Sequence, residues 1–599
     1  MVVQISRRSI SILILSIALY YAVSADAKNE NWLRLQTPRF GIISQLNEKE
    51  TKTWAEEFDK FVTALHQLYN VDDSNLIPLT IVIFKSRKQF TPYCNSSDSR
   101  QAKKIAGLFA NRDDWSIIGL PGLRDYKKTR RTILHEAVHW YTHSRNFNSP
   151  LWLEEGIAEV FSTFEIKNDK GRWGLLIQSH VDYLNYKRLQ PTREFLLASQ
   201  DEALNELDTY YSQAWAMVHY FMFGNGGKNR EKFSAFLSDL RKKSTERSFE
   251  STFGISYEEF DRDLERYIRG GKYSVGEIEL NDNNTVMEVG PASDAMVQFA
   301  LGRLAVGTGN YDKGVQHAEA VISNAPSRPE GYELLAMASK DPAYKTKKSE
   351  ALEKAIRFNS SDSQIYLMQA AILQEENWKK NSILNKALDK NVARQIADIY
   401  KKSISIRPEN KTAFEGFALA LFNLDTYEVE DRQVLELGRR LFPQEGTIPA
   451  GFAALAMMDG DIDSFNQSLE ASYRDPMHLS IDLKMSLRGM QQATYYEWFM
   501  ETLGPLMQKG DFETAEALFE EQKALSYESK DLQKILDDID IVLYSAKRLY
   551  SAEVAMRSRQ FNEAEAILED IKNDEKIPRL GKNAARIMLS QIEKYRKPR

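Results

Sequence analysis

The chain has 599 residues, a net charge of −6 and 43% hydrophobic residues, the profile of an ordinary soluble globular protein with length for about four domain-sized units. Its mixed, mildly acidic charge offers nothing to nucleic acid as a partner. The single cysteine, Cys94, excludes an intramolecular disulfide.

The chain opens "MVVQISRRSISILILSIALYYAVSADAKNE", with Arg7 and Arg8 ahead of an apolar run, Ile10 to Ala22, that is too short to span a bilayer comfortably. Small residues follow as "VSA" and "ADA", which suits cleavage after Ala25 or Ala27. Residues 1–27 are therefore read as a signal peptide, with an uncleaved anchor as the alternative. No lipid-anchor cysteine follows the run, and no stable membrane span remains after cleavage. Export without disulfides suits a bacterial envelope, and the periplasm is the expected location.

Residues 28–270 read as one α+β domain. "RFGIIS" and "LTIVIF" carry strand composition, and "TKTWAEEFDKFVTALHQLY" between them has helical apolar spacing. "AGLFANRDDWSIIGLPG" predicts a hairpin with "NRDD" as its turn and a second strand from Trp115 to Leu120. Next comes "TILHEAVHWYTH", residues 132–143, with three of the chain's eight histidines spaced four and four.

"HEAVH" matches the H-E-x-x-H pattern of zinc sites. On a helix His135 and His139 lie on one face, separated by about 6 Å of rise, so both imidazoles can converge on one ion. Glu136 points about 100° away and can reach a water on that ion instead. His143 continues the face but lies about 12 Å along the axis from His135, too far to share a tetrahedral ion, and is read as structural or rim-facing.

A third ligand must come from another element. "SPLWLEEGIAEVFSTF" predicts a helix with Ser149 as N-cap and Pro150 at its first position, joined to the histidine helix by a loop short enough for antiparallel pairing. Glu155 and Glu159 share one face, with Glu154 rotated off it. Glu155, sixteen positions after His139, is the better candidate to reach the ion, and Glu159 can accept a hydrogen bond from a ligating imidazole. Gly156, inside the helix at a cost of about 1 kcal/mol, points to close approach by another backbone or a substrate.

These two adjoining motifs resemble the gluzincin branch of zinc peptidases, in particular the bacterial peptidase MA-like proteins, with thermolysin-like and aminopeptidase relatives sharing the arrangement. The resemblance covers roughly residues 30–270. It implies a zincin-like fold in which His135, His139 and Glu155 bind Zn2+, Glu136 is the catalytic base and Glu159 supports a ligand from behind. "YYSQAWAMVHYF" resembles the downstream helix that brings a transition-state tyrosine into such sites; Tyr211 is the closer match and Tyr210 the alternative. No G-x-M-E-N-like segment is present, which puts exopeptidase action in doubt and leaves endopeptidase cleavage open. Trp115 to Leu120 is expected to offer an edge for strand addition by a peptide.

A further helix is expected over "SYEEFDRDLERYI". Residues 271–292 lose helical periodicity and read as a linker. From 293 to 599 the chain reads as an all-α solenoid whose segments resemble degenerate tetratricopeptide repeats. Gly302, Ala318 and Pro326 fall near the small residues and terminal proline of a 34-residue unit, and "KGDFETAEALFEE" and "SRQFNEAEAILED" are near-copies. The expected fold is thus an α+β zincin-like metallopeptidase domain followed by a helical-repeat solenoid. The expected function is zinc-dependent hydrolysis of peptide bonds in a peptide or protein substrate, with repeats that recruit a protein partner or substrate. A rival reading is a repeat-based envelope scaffold with an inactive or structural peptidase-like domain, and a weaker third is a hydrolase of non-peptide amide bonds.

Overall fold

The computed structural model describes residues 32–596 apart from 74–75, 95–104, 123–125, 145–148, 198–206, 241–244, 282–284, 286, 341–344, 379–387, 444, 474–480 and 525–529. The expected signal peptide, residues 1–27, lies outside the described residues. Among these residues no helix is long and apolar enough to cross a membrane.

Among the described residues the strands are β1 Leu33–Gln36, β2 Phe40–Ser44, β3 Leu79–Ile83, β4 Leu108–Asn111, β5 Ser116–Leu120, β6 Glu165–Lys167, β7 Lys170–Trp173, β8 Gly276–Glu279 and β9 Glu288–Pro291. The helices that concern the site and its support are α1 Glu48–Tyr69, α2 Tyr126–Ser144, α3 Leu151–Ser162, α4 Gln178–Tyr186, α5 Leu207–Phe223, α6 Tyr257–Gly270 and α7 Asp294–Gly307. A six-stranded sheet runs β4-β5-β3-β2-β1-β9, and a three-stranded sheet runs β6-β7-β8. In the larger sheet β2, β3 and β5 are parallel, and β4, β1 and β9 pair antiparallel at the flanks.

The central strands are apolar at most positions on both sides because both faces of the sheet are covered. Ile42, Ile81, Ile83 and Ile118 share a core with α1 and α2, whereas Ile43, Val82 and Ile117, one position along, enter a second core on the opposite face. Helix α1 begins at a capping box between Asn47 and Glu50 and ends at Asn70 in left-handed backbone (φ 50°). Its Trp54, Phe58, Phe61, Val62 and Leu65 recur at helical spacing and are buried in the first core.

The second core corrects the expected domain boundary. It is completed by Val297, Ala300, Leu301 and Leu304 of α7, a helix expected to belong to a separate repeat domain. A Cβ at Gly119 of β5 would stand 2.8 Å from Leu304 Cδ2, so the glycine is what lets α7 lie on the sheet. Residues 271–292 are likewise not a free linker: β8 pairs with β7, and β9 extends the large sheet beside β1. Gln67 of α1 fastens the same stretch, donating to the Glu279 carbonyl at 2.9 Å and accepting from the Asn281 amide at 3.2 Å. These strands are four residues long and partly exposed, so their composition is that of a loop and only their partners make them strands. The chain divides into two compact units, one ending at Ile365 and the other running from Tyr366, and the expected boundary at 292 falls inside the first.

Strand β5 also differs from expectation. β4 pairs along one side of it and β3 along the other, so it has no open edge; among the described residues the outermost strand on that flank is β4.

Beyond α7 the first unit continues in packed helices, Tyr311–Asn324, Pro329–Ala338 and Lys345–Arg357, each against the one before. Gly302 sits at their crossing, where a Cβ would stand 2.1 Å from Leu334 Cδ2 and 3.0 Å from His317 Cβ. In the second unit the near-copies fold alike. Gly510 (φ 79°) and Arg559 (φ 61°) take the same left-handed turn two residues before helices Phe512–Ala524 and Phe561–Asn573. Ala515 and Phe519 of one helix match Ala564 and Leu568 of the other, and all four are buried. The architecture is an α+β region followed by paired helices that repeat.

Candidate metal centre

Helix α2 is two-sided. Ile133, Leu134, Ala137, Val138, Trp140 and Tyr141 are buried in the first core, and His135, Glu136 and His139 occupy the half-buried remainder. Its C-terminal end is pinned: Trp140 Nε1 donates to the Ile77 carbonyl at 2.7 Å, and Ser144 Oγ accepts from the Ile77 amide at 3.1 Å. Helix α3 packs against α2, burying Trp152, Leu153, Ile157, Ala158, Val160 and Phe161. Pro150 rather than Ser149 is its N-cap, and the Ser149 hydroxyl instead donates to Glu154 Oε1 at 3.1 Å.

Packing of the two helices brings His135, His139 and Glu155 together, with one ligand atom of each within 4.8 Å of the others. His135 Nε2 and His139 Nε2 are 3.1 Å apart, and Glu155 Oε2 lies 3.3 Å from the first and 3.5 Å from the second. A tetrahedral zinc ion with N and O ligands about 2.0–2.1 Å away requires ligand atoms roughly 3.3–3.4 Å apart, so the triangle has the right size. Glu155 Oε2 is buried and makes no aligned hydrogen bond despite its two nitrogen neighbours, as expected of an oxygen placed to ligate. Donor set, spacing and orphaned oxygen all fit a divalent metal.

Glu159 backs the triangle. Its Oε1 lies 3.4 Å from His135 Nδ1, so that nitrogen carries the hydrogen and Nε2 is left to face Glu155 and His139. His143, at the far end of α2, is exposed and is not in the cluster.

The side chains of the cluster polarise one another strongly. Burial works against charge on His135, but the neighbouring carboxylates of Glu155 and Glu159 outweigh it and raise the imidazole to about 10. Burial also opposes ionisation of Glu155, yet His135 and His139 hold its carboxyl down to about 2. Glu159 is held well below the carboxylate range by His135 and His180 against the same burial. Glu136 goes the other way: burial pushes it up, and His135 and His139 only partly offset this. The pocket thus presents ionised carboxylates that require positive charge, beside one carboxyl biased toward holding a proton.

Helix α5 supplies the next wall. A Cβ at Gly156 would stand 2.6 Å from the Ala214 carbonyl oxygen and 2.5 Å from Val218 Cγ2, so the close approach to Gly156 is by the backbone of α5. The Tyr211 ring lies 6.0 Å from that of His135, and burial followed by the charges of Glu155, Glu136 and Glu159 raises its hydroxyl, keeping it a hydrogen donor at neutral pH. Tyr210 is buried with its ring 4.8 Å from Phe195; burial, then Glu155 and Glu154, raises its hydroxyl also. Sequence reading missed His180 of α4, which lies 3.1 Å from Glu159 Oε2, and Ser212 of α5, 3.0 Å from His180 Nδ1. Neither stands in a recognisable spacing with the histidine motif.

The site thus defines a class, an α+β unit carrying a two-histidine, one-glutamate cluster between packed helices. A family model described as a protein of unknown function, DUF1570, matches residues 130–250, about a fifth of the chain, a stretch that holds every residue of this cluster and Tyr211. No curated protein matches. Among solved structures, the crystal structure of the yeast Tom70 matches at 12% identity over 78% of this chain and 88% of that one, with a TM-score of 0.20, a likeness that carries no argument.

Proposed function

We propose that the protein is an exported, periplasmic zinc metallopeptidase with a zincin-type catalytic region and tetratricopeptide-type repeats that recruit a protein substrate or partner. The observation that carries this reading is the triangle of His135 Nε2, His139 Nε2 and Glu155 Oε2, sized for a tetrahedral ion, beside a carboxylate, Glu136, that is not part of it. His135, His139 and Glu155 would hold a zinc ion there, which would supply Lewis acidity toward water and a substrate carbonyl.

The protein's own groups then divide the work. Glu136 accepts a proton from the attacking water as its oxygen bonds to the scissile carbonyl carbon, and returns a proton to the amine as the C–N bond breaks. Tyr211, protonated and beside His135, donates a hydrogen bond to the carbonyl oxygen as charge develops on it. Glu159 keeps the His135 hydrogen on Nδ1. The outer side of β4, unpaired among the described residues, offers backbone groups to an extended peptide, the role expected from the sequence of β5.

The test is Glu136→Gln in the full chain. The amide should leave zinc content and fold unchanged and lower turnover of a diverse peptide library by about 10²–10⁴-fold. Unchanged cleavage by a zinc-replete Glu136→Gln protein refutes the mechanism. No cleavage by the wild type, with a biological phenotype lost on deleting the repeats but not in Glu136→Gln, establishes the scaffold reading instead.

A further inference from the structure

The hydrogen bonding that orients His135 does not stop at Glu159. A carboxylate on a helix can turn about its own side-chain bonds, so it fixes an imidazole only if its second oxygen is held as well. Glu159 Oε2 has two such holds, Arg131 at 3.0 Å and His180 Nε2 at 3.1 Å. They are not equivalent. Arg131 is on α2 itself and its side chain is 38% exposed, so water competes for it, whereas the His180 side chain is 12% exposed.

His180 enters from α4 and is oriented on its other side. Its Nδ1 lies 3.0 Å from Ser212 Oγ, and its ring sits 5.8 Å from that of Trp215, both on α5. Ser212 and Trp215 are buried. A carboxylate only accepts, so Nε2 carries the hydrogen that Glu159 receives. The result is a line of contacts, His135–Glu159–His180–Ser212, that crosses from α2 through α3 and α4 to the helix that carries Tyr211.

We infer that His180 is a positioning residue for the metal centre: its Nε2–H, set by Ser212, locks Glu159 so that His135 presents Nε2 to the ion. This rests on the zinc reading above and adds a requirement to it, that metal affinity depends on a histidine that never touches the metal.

The experiment measures zinc affinity of the full chain by competition with a chromophoric chelator, together with the visible spectrum of the cobalt(II)-substituted protein. Wild type is compared with His180→Ala, His180→Gln and His180→Asn, and unfolding of the metal-free proteins is recorded alongside. His180→Ala should weaken zinc about 10–100-fold, the usual effect of removing a partner behind a ligand, and alter the cobalt spectrum. Glutamine places an amide donor close to the position of Nε2 and should restore most of the affinity; asparagine, which reaches only to Nδ1, should not. If His180→Ala fails to fold, the glutamine and asparagine variants decide between them: higher zinc affinity with glutamine supports the role, and equal affinity overturns it. Wild-type affinity in His180→Ala overturns it too, as does a zinc loss that merely follows loss of metal-free stability. A wild type that takes up no zinc fails the underlying reading and this inference with it; a zinc-binding wild type with an indifferent His180 fails this inference alone.

Discussion

Gly156→Ala should damage the protein although alanine is the better helix former. Gly156 lies within α3, between Glu155 and the rest of the helix that carries Glu159. In open space the change would stabilise a helix interior by about 1 kcal/mol. Here the new methyl would stand 2.6 Å from the Ala214 carbonyl oxygen, 3.0 Å from its carbon and 2.5 Å from Val218 Cγ2. Val218 is fully buried and β-branched, and the Ala214 contact is with backbone, so the strain is relieved only by moving α3 and α5 apart. Overpacking of this kind costs about 1–3 kcal/mol, and a rigid backbone contact belongs at the upper end. Subtracting the helix gain leaves a net loss of about 2 kcal/mol, which in a compact unit that runs to Ile365 lowers Tm by only about 3 °C. Zinc affinity should fall as well, since Glu155 moves with the helix. Gly270→Ala is the control, because a Cβ there meets nothing within 4 Å and its stability should be unchanged or slightly raised. Thermal unfolding and zinc titration of both variants check this. A Gly156→Ala protein as stable and as zinc-avid as wild type would show that the helices are not in the contact described.

Glu155→Ala should strip zinc or weaken it severely, while His143→Ala leaves occupancy near wild type; zinc analysis giving the reverse would refute the triangle as the site. Asp362 is buried with Asp114 and Glu333 nearby; burial first, then those two carboxylates, push it well above the usual range against the pull of Arg303. Its folded-state value is raised, so this term favours folding below the unfolded value near pH 4 and is lost as pH rises through the folded value. Asp362→Asn should therefore stabilise the protein at pH 8, on the order of 1–3 kcal/mol, and give no gain at pH 4. Denaturant midpoints at both pH values test this, and equal gains at the two would refute it. A fragment of residues 28–270 lacks β8, β9 and α7 and bares the second face of the large sheet; it should aggregate, whereas residues 28–365 should be soluble and take up zinc. Solubility and metal content of the two fragments decide the matter, and a soluble, zinc-binding shorter fragment would restore the boundary at 270.

Much of the site was legible because helical period is local. The spacing of His135 and His139 places both on one face of whatever helix holds them, and that of Glu155 and Glu159 does the same on the next. Gly156 announced a close approach for the same reason, being tolerated mid-helix only where something comes near. The approaching element, Ala214 of α5, was not legible, because nothing in a glycine names its neighbour. His180 and Ser212 were silent too: they meet Glu159 through the packing of α4 and α5 on α3, and no local spacing encodes that meeting. The strands divide along the same line. β3 and β5 declare themselves as short, mostly apolar runs, which need cover on both faces, but whether β5 is an edge depends on β4 lying beside it. β8 and β9, four residues each with mixed polarity, are strands only because β7 and β1 supply their hydrogen bonds. What the amino-acid order determined by itself were the periods and the chemical groups set on each face; which faces meet, and so where the domain ends and what stands behind the ligands, was decided by long-range packing, where burial and backbone pairing act between residues far apart in the chain.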